Sequence, residues 1–449
     1  MMGARVGSEG RLFYEFALED VVPRDHLLRR IDAALDLSWL RTELAPYYSH
    51  TGCPSVDPEL MIRMLIIGYC YSIRSERRLC EEVGLNLAYR WFCRLGLEDR
   101  VPDHSTFSVN RHGRFRESDV LRSVFERVVR RCLEAGLVGG EGFAVDASVI
   151  EADASRFARV EGAEVDWSDE ARGRRPVRDY LEALDDDEDG RKPKALSPTD
   201  PAAAWTARGR NKVMFAYSLN YLIDMEHAVI VDVEATPTRI DREVAATGTM
   251  VERARERFAL KPRHIAGDVA YGTGKMLGWL KDQDIAPHIP VWDKAGRADG
   301  TFQREDFTFD KERNVYSCPG GKTLKTTGRM QDGKTLLYLA SKRDCERCPM
   351  KTRCCPNTPQ RRVPRDINEE ARDAARALMG TEPYNRSARG RKKIERLFGE
   401  AKRNMAMSRL RLRGLAGARD EFLLTATVQN LKRLAKLASI PPPPRPMTA

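Results

Sequence analysis

The order of strand-like and helix-like segments between residues 142 and 292 constrains the fold of this chain more than any other feature. Five β-prone runs alternate with two amphipathic stretches in the order β-β-β-α-β-α-β. The predicted strands are Gly142 to Ile150, Val213 to Asp224, Ala228 to Pro237, His264 to Asp268 and Ile285 to Trp292, and the predicted helices begin at Asp241, as a cap, and at Gly272-Thr273-Gly274. A mixed sheet with helices on its faces is expected for this order, so the predicted fold class is α/β.

The rest of the chain is too long to belong to the same unit. A length of 449 residues exceeds what one hydrophobic core usually supports. We predict a helical N-terminal domain at 1–135, the first part of the sheet domain at 136–292 with a mobile insertion at 155–201, a Cys-rich insertion at 293–385, the last part of the sheet domain at 386–440, and a Pro-rich tail at 441–449. The acidic run at 185–190 is read as a solvated loop.

Helix signals dominate the N-terminal domain. Asp57-Pro58-Glu59 predicts a capped helix start, and Ser75 predicts another. The next helix carries Trp91 and Phe92, and the glycine turn before it is typical of a helix-turn-helix. A small helical bundle with both aromatic residues in its core fits the pattern equally well.

Three acidic residues have flanks that set them apart. Asp146 lies in the middle of the first predicted strand, Asp268 at the end of a later one, and Glu395 in a strongly basic helix. Only the fold could bring them together, because long stretches of chain separate them. Such a trio is what two-metal phosphoryl transfer requires, since carboxylates supply the oxygen ligands that Mg²⁺ prefers.

The basic helix sharpens the third position. Arg391 precedes Glu395 by four residues and Lys402 follows it by seven, so the three share one face. The adjoining apolar stripe that would dock this helix on the sheet comprises Ile394, Leu397, Phe398, Ala401 and Met405. A carboxylate among so many cations suggests metal-assisted chemistry on nucleic acid; pairing within the helix is the alternative, worth only a few tenths of a kcal/mol.

These motifs resemble the DDE transposases of bacterial insertion sequences, whose catalytic domain is ribonuclease-H-like and similar to retroviral integrase. The resemblance covers nearly the whole chain. It is carried by Val22-Pro23-Arg24-Asp25-His26, Pro102-Asp103-His104-Ser105-Thr106-Phe107, Val145-Asp146-Ala147-Ser148, Gly267-Asp268-Val269-Ala270-Tyr271, the Arg391, Glu395, Lys402 set with Phe398-Gly399, and Asn430-Leu431-Lys432-Arg433-Leu434. It implies a ribonuclease-H-like mixed-sheet catalytic core with an all-α N-terminal DNA-binding domain.

The resemblance also implies the activity. Asp146, Asp268 and Glu395 would be a catalytic triad that binds Mg²⁺ (or Mn²⁺), cleaves DNA at the transposon ends and transfers the 3′ hydroxyl to target DNA. The expected partners are double-stranded DNA, with its terminal inverted repeats and target, and further copies of this chain in a homodimer or higher assembly on DNA. The predicted DNA contacts are Arg391, Lys402, Arg403, Arg74, Arg77, Arg78 and Arg90.

One position departs from the family. The family's pattern usually has a tyrosine three residues before the arginine, where this chain has Ala388, and Tyr384 is a candidate to replace it. Two other functions fit the same core: a site-specific nuclease that cuts without joining strands, and a catalytically silent DNA-binding descendant of a transposase. The intact trio argues against the second. Glu400 is a rival third carboxylate without the matching Arg and Lys spacing.

Cysteines cluster in the second insertion. Cys318, Cys345, Cys348 and Cys354 give the ligand count of a structural Zn²⁺ site, with Cys355 as an alternative fourth ligand. Four reduced thiols that pack a small subdomain are the other interpretation. The scattered cysteines, Cys53, Cys70, Cys80, Cys93 and Cys132, are predicted to be core residues.

Charge and hydropathy complete the prediction. The net charge of +10 and pI near 9.1 favour a polyanionic partner. Neither a secretory leader nor an apolar run long enough to cross a bilayer is visible, so we expect a cytoplasmic protein, nucleoid-associated when bound to DNA, with no membrane partner.

Overall fold

A computed structural model describes residues 16–49, 51, 55–161, 167–185, 193, 195–208, 212–292 and 300–437. The helices are α1 Leu18–Val21, α2 Leu27–Ala34, α3 Leu40–Leu44, α4 Pro58–Cys70, α5 Glu76–Leu85, α6 Leu87–Phe92, α7 Ser105–His112, α8 Arg114–Glu117, α9 Val120–Glu134, α10 Asp169–Gly173, α11 Arg175–Asp185, α12 Ile240–Phe258, α13 Gly274–Asp282, α14 Lys342–Glu346, α15 Lys351–Cys354, α16 Glu369–Leu378, α17 Glu382–Asn404 and α18 Gly414–Leu437. The strands are β1 Gly142–Glu151, β2 Val160–Glu161, β3 Ala195–Leu196, β4 Ala204–Arg208, β5 Lys212–Asp224, β6 Ile230–Pro237, β7 His264–Ala266, β8 Ala286–His288, β9 Thr308–Asp310, β10 Val315–Ser317, β11 Thr323–Gln331, β12 Thr335–Leu339 and β13 Arg362–Asp366.

The N-terminal region is helical from α1 to α9, as predicted. Both predicted caps are present: Asp57 accepts a hydrogen bond from the backbone N–H of Glu59, and Ser75 accepts one from that of Arg78. In α6, Trp91 and Phe92 are buried, with 8% and 0% of their surfaces exposed. Because a recognition helix must present its side chains to DNA, this burial favours the helical-bundle interpretation over a helix-turn-helix.

The central sheet has the topology expected of a ribonuclease-H-like core. β1 is antiparallel to β5 and β5 to β6, while β7 is parallel to β1 and β8 to β7. The spatial order is therefore β6-β5-β1-β7-β8. If these five core strands are numbered one to five along the chain, the order across the sheet is 3-2-1-4-5. The short strand β4 also pairs with β5. The predicted order of strands and helices and the α/β fold class are confirmed.

Two local predictions need correction. The N-cap of α12 is Arg239, so Asp241 lies inside the first turn; the last predicted strand is reduced to Ala286–His288. A third detail could not be read from the sequence: the insertion predicted at 155–201 contains two helices, α10 and α11, and Val177 of α11 is fully buried. Most of the acidic run at 185–190 and the whole Pro-rich tail lie outside the described residues.

The Cys-rich insertion forms a second, antiparallel sheet in the order β13-β12-β11-β10-β9. Its core combines Phe307, Tyr316, Leu324, Tyr338 and Val363 with three of the cysteines. The insertion is tied to α16 by Glu369, which is 1% exposed and accepts hydrogen bonds from Arg304, Arg372 and Arg376. Three guanidinium groups compensate the buried carboxylate.

Helix α18 holds the N-terminal helices and the sheet together. It packs against α2, α4 and α9 on one side and against β6 on the other. The buried Asn430 side chain bonds the backbone of Ile230 twice, accepting from its N–H at 2.9 Å and donating to its carbonyl at 2.8 Å. Among the described residues, no helix is both long and apolar enough to cross a membrane.

Candidate active site

Asp146 lies in the middle of β1, at the centre of the sheet. Its Oδ1 accepts a hydrogen bond from the backbone N–H of Ala147 at 2.8 Å, and its Oδ2 accepts one from Nη1 of Arg391 at 3.0 Å. Burial raises the pKa of the Asp146 carboxyl to about 6; the bond from Ala147 and the charge of Arg391 lower it, while Asp268 and Glu395 add to the rise. A carboxylate in this position favours a cation beside it.

Strand register brings Asp268 to the same place. Ala144 of β1 pairs with Ala266 of the parallel strand β7, so Asp146 and Asp268 each lie two residues farther along neighbouring strands. Asp268 ends its strand and caps the turn Val269–Tyr271, since its Oδ1 accepts from the N–H of Ala270 at 2.8 Å. The two acids are therefore level in register, with Asp268 just beyond the carboxyl end of β7, the edge where α/β folds place their sites.

Glu395 comes to these acids on α17. Its side chain is 60% exposed, and its Oε1 lies 3.8 Å from Nη2 of Arg391. Arg391 thus contacts both Asp146 and Glu395 through one guanidinium group. The charges of Asp268 and Glu395 both act on Asp146.

The apolar stripe of α17 docks this helix as predicted. Its five residues, Ile394, Leu397, Phe398, Ala401 and Met405, are all buried. The ring of Phe398 stacks on Tyr221, with centroids 5.0 Å apart, and Tyr221 is the β5 partner of Asp146. On the same face, Nζ of Lys402 lies 2.5 Å from Oγ of Ser148, two residues along β1 from Asp146.

A fourth carboxylate, Glu243, was missed by the sequence analysis. Its Oε1 accepts a hydrogen bond from Oγ of Ser218 at 2.5 Å. Burial raises the pKa of Glu243, and the nearby charge of Asp268 raises it further. In the sequence it is one of two acids in the first turn of α12, where acids commonly interact with the helix dipole, so nothing marked it as part of a site.

The acids supply the right donors for a hard divalent cation, because every ligand atom is a carboxylate oxygen. In the conformation described, Arg391 stands beside Asp146 where such a cation would neutralise charge. Within the described part of the chain, no group of three or more Cys, His, Asp or Glu residues is arranged so that it could hold a metal ion. The type of donor atom therefore suits a divalent cation, whereas the arrangement of the side chains described does not by itself form a metal site.

Two arginines predicted to contact DNA are buried in the protein instead. The Arg74 side chain is 4% exposed, forms an ion pair with Glu421, and points at the carbonyls of Met405 and Ala406 at 3.5 and 3.4 Å. Arg90 is 5% exposed and donates to the carbonyls of Gly96, Leu97 and Asp99. The prediction for both is corrected: buried cations must be paired, and these are paired within the chain.

The other two N-terminal arginines lie on the surface. Arg77 is exposed, with Nη2 3.5 Å from Nε2 of His104. The Arg78 side chain is 66% exposed and pairs with Glu82 one turn later in α5. Both side chains are accessible to solvent.

Tyr384, the candidate replacement for the tyrosine absent at Ala388, lies near the N-terminus of α17. Its ring is 5.8 Å from that of His288, whose Nδ1 is 2.7 Å from Oγ of Ser387. Burial lowers the pKa of His288 to about 4, and the neighbouring His264 contributes to the shift. Tyr384 therefore packs at the edge of the sheet one helical turn before Ala388, and its proposed role stays a prediction.

The cysteines of the insertion make several contacts with one another and with their neighbours. Cys318 and Cys348 flank Gly320, since a Cβ on this glycine would lie 3.6 and 3.5 Å from their sulfur atoms. The backbone N–H of Lys322 donates to Sγ of Cys318 at 3.3 Å. Cys345 and Cys354 each hydrogen-bond with Cys355, and burial raises the pKa of the Cys354 thiol to about 11. Of the five cysteines predicted to be core residues, Cys70, Cys93 and Cys132 are buried, Cys80 is half-buried, and Cys53 lies outside the described residues.

Two family models match the chain. Residues 16–113 match the model described as Transposase domain (DUF772), and residues 317–435 match the model described as Transposase DDE domain. The second range contains Arg391, Glu395 and Lys402. A piggyBac transposase, in a cryo-EM structure of its synaptic complex with hairpin DNA, is similar over 91% of this chain and 73% of that chain, with 11% identity and a TM-score of 0.32.

Proposed function

We propose that this protein, which belongs to the DDE transposases by its two matched domains, cleaves DNA at the ends of a mobile element and joins the freed 3′ hydroxyl to target DNA. The observation that carries the proposal is that Arg391 links Asp146 of β1 to Glu395 of α17, while strand register puts Asp268 level with Asp146. In-line phosphoryl displacement needs such a set of oxygen ligands.

In this proposal Asp146, Asp268 and Glu395 hold Mg²⁺ or Mn²⁺. Bound there, the ions would activate the attacking oxygen and stabilise the leaving oxygen. The raised pKa of Asp146 supports the assignment, because burial beside other acids disfavours its ionised form unless positive charge is supplied. Glu243, coupled to Asp268, is proposed to add negative charge at the edge of the same site.

Arg391 is proposed to have two partners in turn. Without a metal ion it neutralises Asp146, at 3.0 Å, and approaches Glu395. When other positive charge neutralises the acids, its five N–H donors become available to a DNA phosphate, which a guanidinium binds in bidentate fashion. The same side chain would then preserve the empty site and orient the substrate in the loaded one.

Duplex DNA is the proposed partner, in the form of terminal inverted repeats and target. The cations proposed to contact it are Arg391, Lys402 and Arg403 on α17 and Arg77 and Arg78 on α5. Action on two ends at once would need a homodimer or higher assembly on DNA. We propose that the protein acts in the cytoplasm, on nucleoid DNA.

We also propose a structural Zn²⁺ ion in the insertion. Its ligands would be Cys318, Cys345, Cys348 and Cys354.

The test uses the full chain and duplexes made from the DNA that flanks its gene. Labelled flanks are incubated with Mg²⁺ or Mn²⁺ and a supercoiled target plasmid, and both 3′ ends and joined products are resolved on gels. Cut ends together with joined products are expected. Cutting without joining would identify a nuclease on the same core, whereas binding without cutting under either ion would identify a silent descendant and overturn the proposal.

A further inference from the structure

Helix α17 carries an unusual share of the charge of the chain. Its 23 residues include eight Lys and Arg against three Glu, which leaves +5, while the whole chain has a net charge of +10. Arg391 and Lys402 account for two of these cations and face the acids of the site. The remaining six raise a separate question, because a helix does not need them in order to fold.

Four of the six lie on the outward side of the helix. Arg389, Lys392, Arg396 and Arg403 are all exposed. At about 100° per residue they lie roughly 60–120° around the helix from Glu395. The apolar stripe that docks α17 on the sheet is on nearly the opposite side, so these four cations point away from the protein.

Three of them have no carboxylate partner among the residues the structure describes. Arg389 pairs with Glu382 at 3.0 Å, whereas no ion pair within the described ranges involves Lys392, Arg396 or Arg403. Exposed arginines on other helices do find acids one turn away, as Arg131 does with Glu134 and Arg174 with Glu170. Neighbouring cations repel one another, and this repulsion destabilises the protein. Their presence together therefore indicates that they bind an anion from outside the chain.

Gly399 strengthens this interpretation. This glycine lies between Arg396 and Arg403 on α17. A Cβ at this position would lie 2.9 Å from Nη2 of Arg403. Nε of Arg403 is 3.3 Å from the carbonyl oxygen of Gly399, so this arginine folds back along the helix towards Arg396. The missing side chain therefore brings two cations closer together, although glycine costs a helix up to about 1 kcal/mol relative to alanine.

We propose that Lys392, Arg396 and Arg403 form a phosphate track that binds the backbone of duplex DNA beside the cut, with Gly399 setting the position of Arg403. The inference rests on the proposed function and adds to it a second contact surface. Along the axis the three cations span about 16 Å, the length of roughly five nucleotides of one strand. The track lies to one side of the acids, so it holds flanking DNA and leaves the scissile phosphate to Arg391 and Lys402.

The consequence is a separation of binding from chemistry. Each phosphate contact contributes about 0.9 to the slope of log K against log salt, so losing three should reduce its magnitude by about 2–3. Backbone contacts carry no sequence information, so the loss should be the same on any duplex. These side chains do not face the reacting atoms, so their loss should act on the affinity for DNA.

The experiment compares two triple variants of the full chain on an end-bearing duplex and an unrelated one. The test variant is Lys392→Ala/Arg396→Ala/Arg403→Ala. The matched control is Arg255→Ala/Arg257→Ala/Lys261→Ala, which removes the same charge from exposed positions at the far end of α12, roughly 20 Å from Glu243. For the test variant, the slope of log K against log salt should be smaller in magnitude by about 2–3 on both duplexes. For the control variant it should be smaller by at most about one unit.

Gly399→Ala supplies a variant that keeps every charge. The helix should fold at least as well, while Arg403 is displaced and binding weakens partially. Equal slopes for the two triple variants, or cleavage lost at unchanged affinity, would overturn the phosphate track. A wild type that binds duplex but never cuts would overturn the proposed function and leave the track standing; a wild type with no salt-dependent binding would overturn both.

Discussion

Nη1 of Arg391 lies 3.0 Å from Oδ2 of Asp146, although 245 residues separate them in the sequence. The contact joins the central strand of the sheet to the helix that carries Glu395. It places a cation among acids that would otherwise repel one another, and it ties the docking of α17 to the charge state of the site.

Removing any one of the three acids should abolish metal-dependent DNA cleavage while DNA binding survives. Asp146→Asn, Asp268→Asn and Glu395→Gln each remove an oxygen ligand and a charge, so single-turnover rates should fall on the order of 10³-fold or more. Glu400→Gln is the matched control, because Glu400 is on the same helix but contacts Gln429 at 3.3 Å. Full activity in any of the three variants would refute that assignment.

Ionisation of Asp146 should lower the stability of the metal-free protein, and the loss should be complete above about pH 6. The pKa of the Asp146 carboxyl is about 6 in the folded state, above the usual 3.8, so the folded state favours the protonated form. The free energy of unfolding therefore falls as the pH rises from 3.8 to about 6. Asp146→Asn should therefore raise the free energy of unfolding by roughly 1–3 kcal/mol at pH 7.5 in EDTA, and by much less at pH 3.5. Denaturant titrations at both pH values test this, with exposed Asp282→Asn as a control; a gain independent of pH would contradict it.

Lys402→Ala should weaken DNA binding through one phosphate. Nζ of Lys402 now lies against Oγ of Ser148, beside the acids, and DNA is expected to compete for it. The slope of log K against log salt should become smaller by about one unit, measured by fluorescence anisotropy. Ser148→Ala removes one internal partner and keeps the cation, so it should leave the slope intact. An unchanged slope for Lys402→Ala would count against phosphate contact.

Arg74→Ala should damage the fold and leave the salt dependence of binding alone. Arg74 pairs with Glu421, which is 1% exposed and would be left as an uncompensated buried charge. A loss of about 3–5 kcal/mol in the free energy of unfolding is expected. Arg78→Ala, at a residue 66% exposed, should change stability by less than about 0.5 kcal/mol. Comparable stability for the two variants would argue against the corrected role of Arg74.

Protein purified without added zinc should retain about one equivalent of Zn²⁺ if the cysteine prediction holds. Metal analysis should show that Cys348→Ser loses the ion, while Cys80→Ser, in helix α5, keeps it. Removal by a chelator should lower the thermal stability of the insertion, because its small core depends on Cys345, Cys354 and Cys355. Less than half an equivalent in the wild type would favour four packed, reduced thiols.

Sequence patterns predicted the parts of the site that depend on local periodicity. Asp146 and Asp268 stood out because one lies within an apolar strand and the other ends one, and strand register then aligned them. Glu395, Arg391 and Lys402 stood out because helical spacing puts them on one face. The apolar stripe of α17 was equally readable, and all of its residues are buried.

What the sequence could not predict depends on distant contacts. Whether an arginine in the N-terminal helices is free for DNA depends on acids such as Glu421, which lies more than 300 residues away from Arg74. Glu243 joins the site only because α12 packs beside the strand that holds Ser218. The aromatic residues of α6 read equally well as a recognition helix or as core, and only their burial distinguishes the two.

The central position of α18 has a consequence for biosynthesis. Asn430 binds the backbone of Ile230 inside the protein, and the helix fills the space between the N-terminal helices and the sheet. A ribosome makes Asp146, Asp268 and Glu395 before it makes this helix. The nascent chain therefore holds all three acids before it can close the core around them, and a copy interrupted before Gly414 would present its unfilled apolar surfaces to chaperones and proteases instead of acting on DNA.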